Sequence, residues 1–310
     1  MKTFHSIESF TSKTQTVLTI GTFDGIHIGH KKILDRLINI AETKKLASLV
    51  LTFFPHPRMV LQKDSEIKLI HTIEERANLL AQIGIENLII QPFSKEFSRL
   101  SATEFVRDIL VNQLNVKHII VGYDHRFGRN RTANIENLKE FGEIYDFTVE
   151  EITAQDIDAV SVSSTKIRNA LAAGNITTAN SYLGNDFQLN GIITRGKGIG
   201  KTINFPTANV STKEDYKIIP KNGVYIAKAT ILKETYTGML NIGHNPTVNG
   251  TQRTIEIHLF NLNKDVYDHE ISVSIQSRIR DEQHFESLAV LQEQLKKDKL
   301  AALTYFDHHE

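Results

Sequence analysis

The apolar pattern of this chain changes period once, near Gly184-Asn185, and that change implies two separately built halves. Before it, short apolar runs alternate with helical spacing; after it, alternating β-branched segments dominate. A length of 310 residues suits two domains of ordinary size, each able to bury its own core. The expected domains are 1–184 and 185–310.

In the first half, Val17 to Ile20, Leu49 to Phe54, Leu88 to Ile90, His118 to Val121 and Phe147 to Ile152 read as strands. Ile33, Leu34, Leu37, Ile38 and Ala41 mark one helix face. Thr72 to Ile83 reads as a second helix, and Phe105, Val106, Ile109 and Leu110 mark a third. Thr72 with Glu75, and Ser101 with Glu104, have capping-box spacing, and Gly84 suits a helix stop. This order predicts an α/β domain: a parallel sheet with helices on both faces. In the second half, Gln188 to Thr194, Val224 to Leu232, Tyr236 to Ile242, Thr254 to Leu259 and Ile271 to Ile279 predict a compact antiparallel barrel. Hairpin turns are expected at Lys233-Glu234 and Asn263-Lys264-Asp265. Leu288, Leu291 and Leu295 mark a terminal helix.

Lys plus Arg equals Asp plus Glu, 36 each, so no global field draws the chain to nucleic acid or membranes, and any anion site is local. There are no cysteines, which excludes disulfides, thiolate catalysis and Cys-ligated zinc. The N-terminus MKTFHSIESF lacks the apolar core of a signal peptide, and no apolar run is long enough to span a bilayer. A soluble cytoplasmic protein is expected.

The string Gly21 to His30, GTFDGIHIGH, follows a strand and opens a helix. That context puts backbone N–H groups and a positive dipole end where a phosphate would sit. His27 and His30 there would hydrogen-bond phosphate oxygens during attack on an α-phosphorus, and Gly29 would let the nucleotide approach the backbone. Ser161 to Arg168, SVSSTKIR, also opens a helix after a strand. Its hydroxyls suit phosphate, and equally suit plain N-capping. Gly122 to Arg131 follows a strand and carries arginines and aromatics that would grip a planar phosphorylated substrate; a solvated basic loop or an RNA patch is the alternative. His56, in Pro55-His56-Pro57, lies near the same crevice, although a histidine in a proline turn is more often structural.

Gly196-Lys197-Gly198-Ile199-Gly200-Lys201-Thr202 fails the P-loop spacing, because the position five before Gly200 is Arg195. A glycine-rich flap over phosphates or an ordinary mobile loop remain as readings. Thr207 and Asn209 point the same way on an extended chain and offer oxygens to a hard cation such as Mg²⁺. Glu256 faces away from Ile255 and Ile257. It would be a general base toward a substrate hydroxyl or an outward surface glutamate.

The motifs TFDGIHIGH, TFFPHP, VGYDHRFG, SSTKIR, FPTANV, GVY, NIGHNPTV, EIHLF and RIRDEQHF run in order over nearly the whole chain. This set closely resembles the prokaryotic bifunctional riboflavin kinase/FAD synthetase family. The resemblance implies a Rossmann-like nucleotidyltransferase domain that adenylates FMN, and a six-stranded β-barrel kinase that makes FMN from riboflavin. Both steps would use ATP and Mg²⁺. Carried over motif by motif, His27 and His30 would be catalytic. Phe23, Asp24, Gly25, Ser163, Ser164, Thr165 and Arg168 would join them around ATP. His56, Asp124, Arg126 and Arg131 would form the FMN-side loop. In the kinase, Gly196, Gly198, Gly200 and Lys201 would cover the nucleotide, and Thr207 and Asn209 would hold Mg²⁺. Glu256 would be the base, and Arg280 would lie on the flavin side. The implied partners are riboflavin, FMN and ATP, with no nucleic acid or membrane, in a monomer or weak oligomer.

The chain departs from the family at several places. The family usually has Asn at Thr22, an aromatic at His125, Gly at Asn204, Arg at Asn245, Phe at Val248 and Asp at Asn261. It often has Gly near Ala133.

Overall fold

The computed structural model describes residues 1–62, 66–153, 162–196, 199–247 and 250–309. Contacts divide it into two units, Met1–Ser164 and Thr165–Glu310.

The first unit runs β1 (Lys2–Phe4), β2 (Thr16–Ile20), α1 (Ile28–Lys44), β3 (Ala47–Phe54), α2 (Pro57–Leu61), α3 (Ile73–Ile83) and β4 (Asn87–Pro92). It continues through α4 (Ala102–Glu104), β5 (Val116–Gly122), α5 (Ile135–Tyr145) and β6 (Thr148–Ile152). The sheet order is β1-β4-β3-β2-β5-β6, parallel throughout. Alternation within each apolar run sorts neighbours onto opposite faces. Val17, Val50, Leu88 and Ile120 pack with Leu34 and Leu37 of α1 and Leu80 of α3. Leu18, Leu49, Leu51, Ile89 and Ile119 pack on the other face with Val106, Leu110 and Leu138. Both faces are covered, as near-continuous apolar strands require.

Both expected capping boxes form, at Thr72/Glu75 and Ser101/Glu104, and Gly84 ends α3 at φ 104°. The third expected helix differs: α4 runs directly into a π-helix, Phe105–Gln113. The short edge strand β1 has no counterpart in the sequence pattern, since its three residues carry no apolar period.

The second unit contains α6 (Ser164–Ala173, its first residue closing the first unit), α7 (Ile176–Leu183), β7 (Phe187–Thr194), α8 (Ile199–Thr202), β8 (Ala208–Thr212) and β9 (Gly223–Ile231). Next come β10 (Glu234–Thr247), β11 (Gly250–Leu259), β12 (Glu270–Arg280) and α9 (Leu288–His309). The six strands close a barrel in the order β10-β11-β8-β7-β12-β9, all pairs antiparallel. The sequence marks β8 only as a candidate cation-binding stretch. The β9–β10 turn lies one residue earlier than expected, with Leu232 and Lys233 at φ 51° and 69°. Asn263 to Asp265 is no hairpin turn: β11 pairs with β10 and β8, and β12 with β7 and β9, so this loop joins strands that are not neighbours. Leu291 and Leu295 pack on the barrel with Ala302 and Phe306, whereas Leu288 is exposed. Helix α7 packs on β7 and β12, and Leu171 of α6 accepts the Lys221 amide at 3.0 Å. These two helices thus pack with the barrel although they precede the change of period.

Candidate functional site

In the first sheet, the chain moves one way from β2 to β3 and β4, then returns to the other side of β2 with β5 and β6. The order reverses at β2, and α1 leaves the carboxyl end of that strand. Ligands of open α/β sheets bind at such a switch point. Three residues of the connecting turn have positive φ: Phe23 at 47°, Gly25 at 96° and Ile26 at 28°. The two that are not glycine are strained by about 1–3 kcal/mol each. Both side chains are buried in the core beneath α1. Burial of such side chains contributes about 1.5–3 kcal/mol each, enough to offset the strain.

Asp24 is fully buried. Its carboxylate accepts the Ile70 amide at 3.0 and 3.1 Å and the His71 amide at 3.0 Å, and faces the Arg76 guanidinium at 3.8 Å. The resemblance implies an ATP contact for Asp24; the structure turns its side chain inward, where it orients the turn. Its carbonyl accepts the Ser164 hydroxyl at 2.7 Å. Ser163 is half-buried beside it. Thr165 and Arg168 follow on α6 in the second unit.

His27 is the N-cap of α1. Its Nδ1 accepts the His30 amide at 3.2 Å, which leaves the ring proton on Nε2. The two imidazoles stack at 3.6 Å and 12°, and the Phe23 ring meets His30 edge-on at 5.1 Å. Burial pushes His27 down to about 4, with Asp24 pulling the other way. Burial first, then His27, Arg76 and His71, hold His30 well below the ordinary imidazole range. Both rings are therefore neutral at pH 7. The His30 Nδ1 is buried without a hydrogen-bond partner. The amides of Ile28 and Gly29 have no acceptor within the helix. Neutral ring nitrogens and unpaired backbone amides at a helix start are the kind of donors an anion takes.

The loop after β5 is closed by the backbone pair of Phe127 and Ala133, at 3.1 and 3.2 Å. Asp124, Arg126 and Arg131 are exposed on it. His125 stacks on Phe127 at 6.0 Å and 22°. Its Nε2 is buried without a hydrogen-bond partner, and burial pushes the ring down to about 4. His56 is buried and caps α2 by accepting the Arg58 amide at 3.1 Å. Sequence reading missed a cluster of half-buried rings. Phe53, at the carboxyl end of β3, lies 5.6 Å from Phe93 and 5.7 Å from Phe97. Phe93 and Phe97 are close in sequence, but Phe53 comes from a different strand, so no local spacing joins all three.

In the barrel, Glu256 on β11 stands opposite Asn209 on β8 and Asn241 on β10. Ile255 and Ile257 are buried on the other face, as the alternation predicts. Thr207 Oγ1 donates to Glu256 Oε2 at 3.1 Å. The hydroxyl proton is thus engaged, and the oxygen lone pairs are left for a cation. Asn241 joins this polar row only through strand register, which the sequence does not state. A Cβ on Gly196 would collide with Asn209 Nδ2, and one on Gly200 would collide with the Phe205 carbonyl. Glycine therefore lets Asn209 keep its place at the first position, and only glycine fits at the second. No P-loop helix follows: α8 is a single turn, and Lys201 on it is exposed. Asn204 takes φ 61°, a conformation that glycine enters freely and asparagine tolerates. Gly198 and Val248 lie outside the described residues.

Arg280, placed on the flavin side by the resemblance, sits at the end of β12. Its Nε and Nη2 grip Asp298 of α9 at 2.7 to 3.1 Å, and its Nη1 donates to the Asp281 carbonyl at 3.0 Å. The guanidinium fastens the end of β12 to α9.

A helix start at the switch point of a parallel sheet and a hydroxyl–carboxylate–amide row on a closed barrel are two separate polar sites, one on each fold. The FAD synthetase family profile matches residues 9–166, and the riboflavin kinase family profile matches residues 183–306. The chain is 37% identical over 302 residues to the bifunctional riboflavin kinase/FMN adenylyltransferase of Bacillus subtilis (strain 168), covering 96% of this chain and 94% of that protein. It is 36% identical over 308 residues to the protein of the same description in Buchnera aphidicola subsp. Acyrthosiphon pisum (strain APS), covering 98% and 97%. A crystal structure described as a macrolide-efflux protein from Streptococcus pneumoniae matches with TM-score 0.89 and 30% identity, over 97% of this chain and 98% of that one. Among the described residues, no helix is long and apolar enough to cross a membrane. This chain belongs to the bifunctional riboflavin kinase/FMN adenylyltransferase family.

Proposed function

We propose that the turn carrying His27 and His30 transfers AMP from ATP to FMN, and that the Glu256 row of the barrel phosphorylates riboflavin. As a member of its family the chain is a riboflavin kinase and an FMN adenylyltransferase, producing FMN and FAD. The observation that carries the residue assignment is the stacked, neutral imidazole pair at the start of α1. In the adenylylation, an FMN phosphate oxygen attacks the α-phosphorus, the bond to the β-phosphate oxygen breaks, and pyrophosphate leaves. Charge builds on the phosphate oxygens as this happens. Donors already aimed at that charge stabilise the transition state without reorganising, and neutral rings donate without an ion-pair desolvation cost. The exposed Arg126 and Arg131 would draw in the phosphorylated flavin, and the Phe53/Phe93/Phe97 rings offer a planar heterocycle a surface to lie on.

In the kinase reaction, the Glu256 carboxylate takes the proton from the ribityl hydroxyl as its oxygen attacks the γ-phosphorus, and ADP leaves. Thr207 holds that carboxylate in place. The donor set fits Mg²⁺: Thr207 and Asn209 provide hard oxygens. Among the described residues no three His, Asp or Glu side chains gather into a metal cage. Mg²⁺ would therefore arrive largely on the phosphates of ATP, and when bound it neutralises their charge. The kinase profile's start at residue 183 supports a division of the two activities into 1–184 and 185–310. A cytoplasmic location, where ATP and riboflavin meet, goes with this reading. The test is incubation of the purified protein with riboflavin, ATP and Mg²⁺, with products separated by chromatography. FMN and FAD together are expected; FMN alone would remove the role assigned to His27 and His30.

A further inference from the structure

The turn that carries the histidine pair rests on one buried cation. Arg76, on the first turns of α3, is 1% exposed. Its Nη1 donates to Thr52 Oγ1 at 3.3 Å, and Thr52 Oγ1 donates in turn to the Thr22 carbonyl at 3.1 Å. Its Nη2 lies 3.8 Å from Asp24 Oδ1. One arm therefore reaches the residue before Phe23, and the other reaches the residue after it. We infer that Arg76 is a positioning residue for adenylyl transfer, a two-armed clamp that fixes both sides of the strained Phe23 position and so aims the His27/His30 pair. The inference rests on the role proposed above for that pair.

Three observations support it. First, a buried guanidinium is costly to desolvate, and an apolar side chain would fill this buried place at lower cost. A cation here is explained by what its two arms hold. Second, Asp24 spends its carboxylate on Ile70 and His71 as well, so the clamp extends to the N-cap region of α3. Turn and helix are thereby locked together. Third, Arg76 is a permanent positive charge near His30. The groups acting on that ring are His27, Arg76 and His71, and each opposes its protonation. Asp24, the acidic group of the network, acts on His27 in the opposite sense. Arg76 itself has no surface from which to touch substrate, so it acts only through the turn and through its field.

The experiment is steady-state adenylylation of FMN by Arg76→Met and Arg76→Lys, with riboflavin phosphorylation by the same samples as the control for the second unit. A displaced catalytic group costs about 100-fold in rate. Arg76→Met is expected to lose roughly that much kcat for FAD formation, with KM for ATP little changed and kinase activity intact. Its acid limb should move to higher pH, since a charge that opposed protonation of His30 is gone. Arg76→Lys keeps the charge and loses one arm: its kcat should fall while its acid limb stays. A wild-type kcat together with a wild-type acid limb in Arg76→Met overturns the inference. If Arg76→Met fails to fold its unit, Thr52→Val, which cuts only the arm to Thr22, decides instead: a fall in kcat at unchanged KM supports the clamp, and a normal kcat overturns it. Proton NMR titration of the His30 ring needs no turnover. An upward shift in Arg76→Met supports the electrostatic part even if wild-type protein makes no FAD, an outcome that would sink the functional assignment instead. An unchanged titration removes that part.

Discussion

Arg280 and Asp298 form a two-pronged ion pair, Nη2 to Oδ2 at 2.7 Å, between the end of β12 and the face of α9 that packs on the barrel. The carboxylate is 1% exposed, and Gln294 adds a hydrogen bond to its Oδ1 at 2.8 Å. Breaking a buried pair by removing one partner costs about 3–5 kcal/mol, because the other charge is left alone. Asp298→Ala should therefore lower the stability of the second unit by roughly that amount, read by urea unfolding. Asp298→Asn, which still accepts a hydrogen bond, should lose less. Equal stability in all three proteins would leave the pair without the anchoring role.

A second expectation concerns acid. His27 and His125 are both pushed by burial from 6.5 to about 4. In each case the folded state favours the neutral ring, so between those values the unfolded chain binds more protons. The stability linked to these rings is whole above about pH 6.5 and is lost as pH falls toward 4. The loss is about 1.4 kcal/mol for each ring per pH unit crossed between the two values. The urea midpoint of the first unit should drop between pH 7 and pH 5. His125→Phe keeps the stack on Phe127 and removes one of the titrating rings of this unit, so its midpoint should drop less. It should also gain about 1 kcal/mol at pH 7, since an unsatisfied buried nitrogen is gone. The same pH slope in both proteins would show that His125 titrates freely.

Much of this architecture is written in local pattern. Capping boxes at Thr72 and Ser101, and apolar runs buried on both faces, announce a parallel sheet because each signal acts within a few residues. The His27/His30 pair is legible for the same reason, as strand, turn and helix are contiguous. What stays hidden depends on partners distant in sequence. The inward turn of Asp24 requires Ile70 and Arg76, the Arg280 anchor requires Asp298, and the place of Asn241 beside Glu256 requires the barrel register. The π-helix at Phe105–Gln113 escapes notice because its apolar residues also satisfy α spacing. Helices α6 and α7 carry ordinary helical signals, and nothing local states which core they cover.

His30→Ala should separate the two activities. Removing one preorganised donor from a developing oxyanion costs about 100- to 1000-fold. FAD formation from FMN should fall by that order while FMN formation from riboflavin stays near normal. Equal loss of both would indicate misfolding rather than a lost donor.

The packing of α6 and α7 predicts that the fold carrying the kinase extends upstream of residue 185. Ile167, Leu171, Ile176, Ala179 and Leu183 are buried, and Lys221 bonds back to Leu171. A truncated chain starting at Thr165 should phosphorylate riboflavin and make no FAD. One starting at Gly184 would expose the barrel surface under α7 and should unfold at lower urea, with kinase activity retained at low temperature. A shorter chain as stable as the longer one would show that these helices add nothing to the barrel.

Glu256→Gln is the sharpest test of the barrel site. A surface glutamate in a strand is replaced within about 0.5 kcal/mol of stability and without effect on rate. A general base contributes about 100- to 10,000-fold. The structure sets Glu256 against Thr207, and Gln keeps an oxygen to accept that hydroxyl, so the local geometry should survive the change. What is lost is the ability to take the proton of the ribityl hydroxyl. FMN formation should collapse at unchanged stability and unchanged ATP binding. FAD formation from supplied FMN should persist, because the nucleophile there is the substrate's own phosphate and the donors are His27 and His30. Supplying riboflavin or FMN to the same variant therefore reads each half in turn. Near-normal phosphorylation of riboflavin by Glu256→Gln would return Glu256 to an outward-facing strand residue and leave the Thr207 bond as a surface contact.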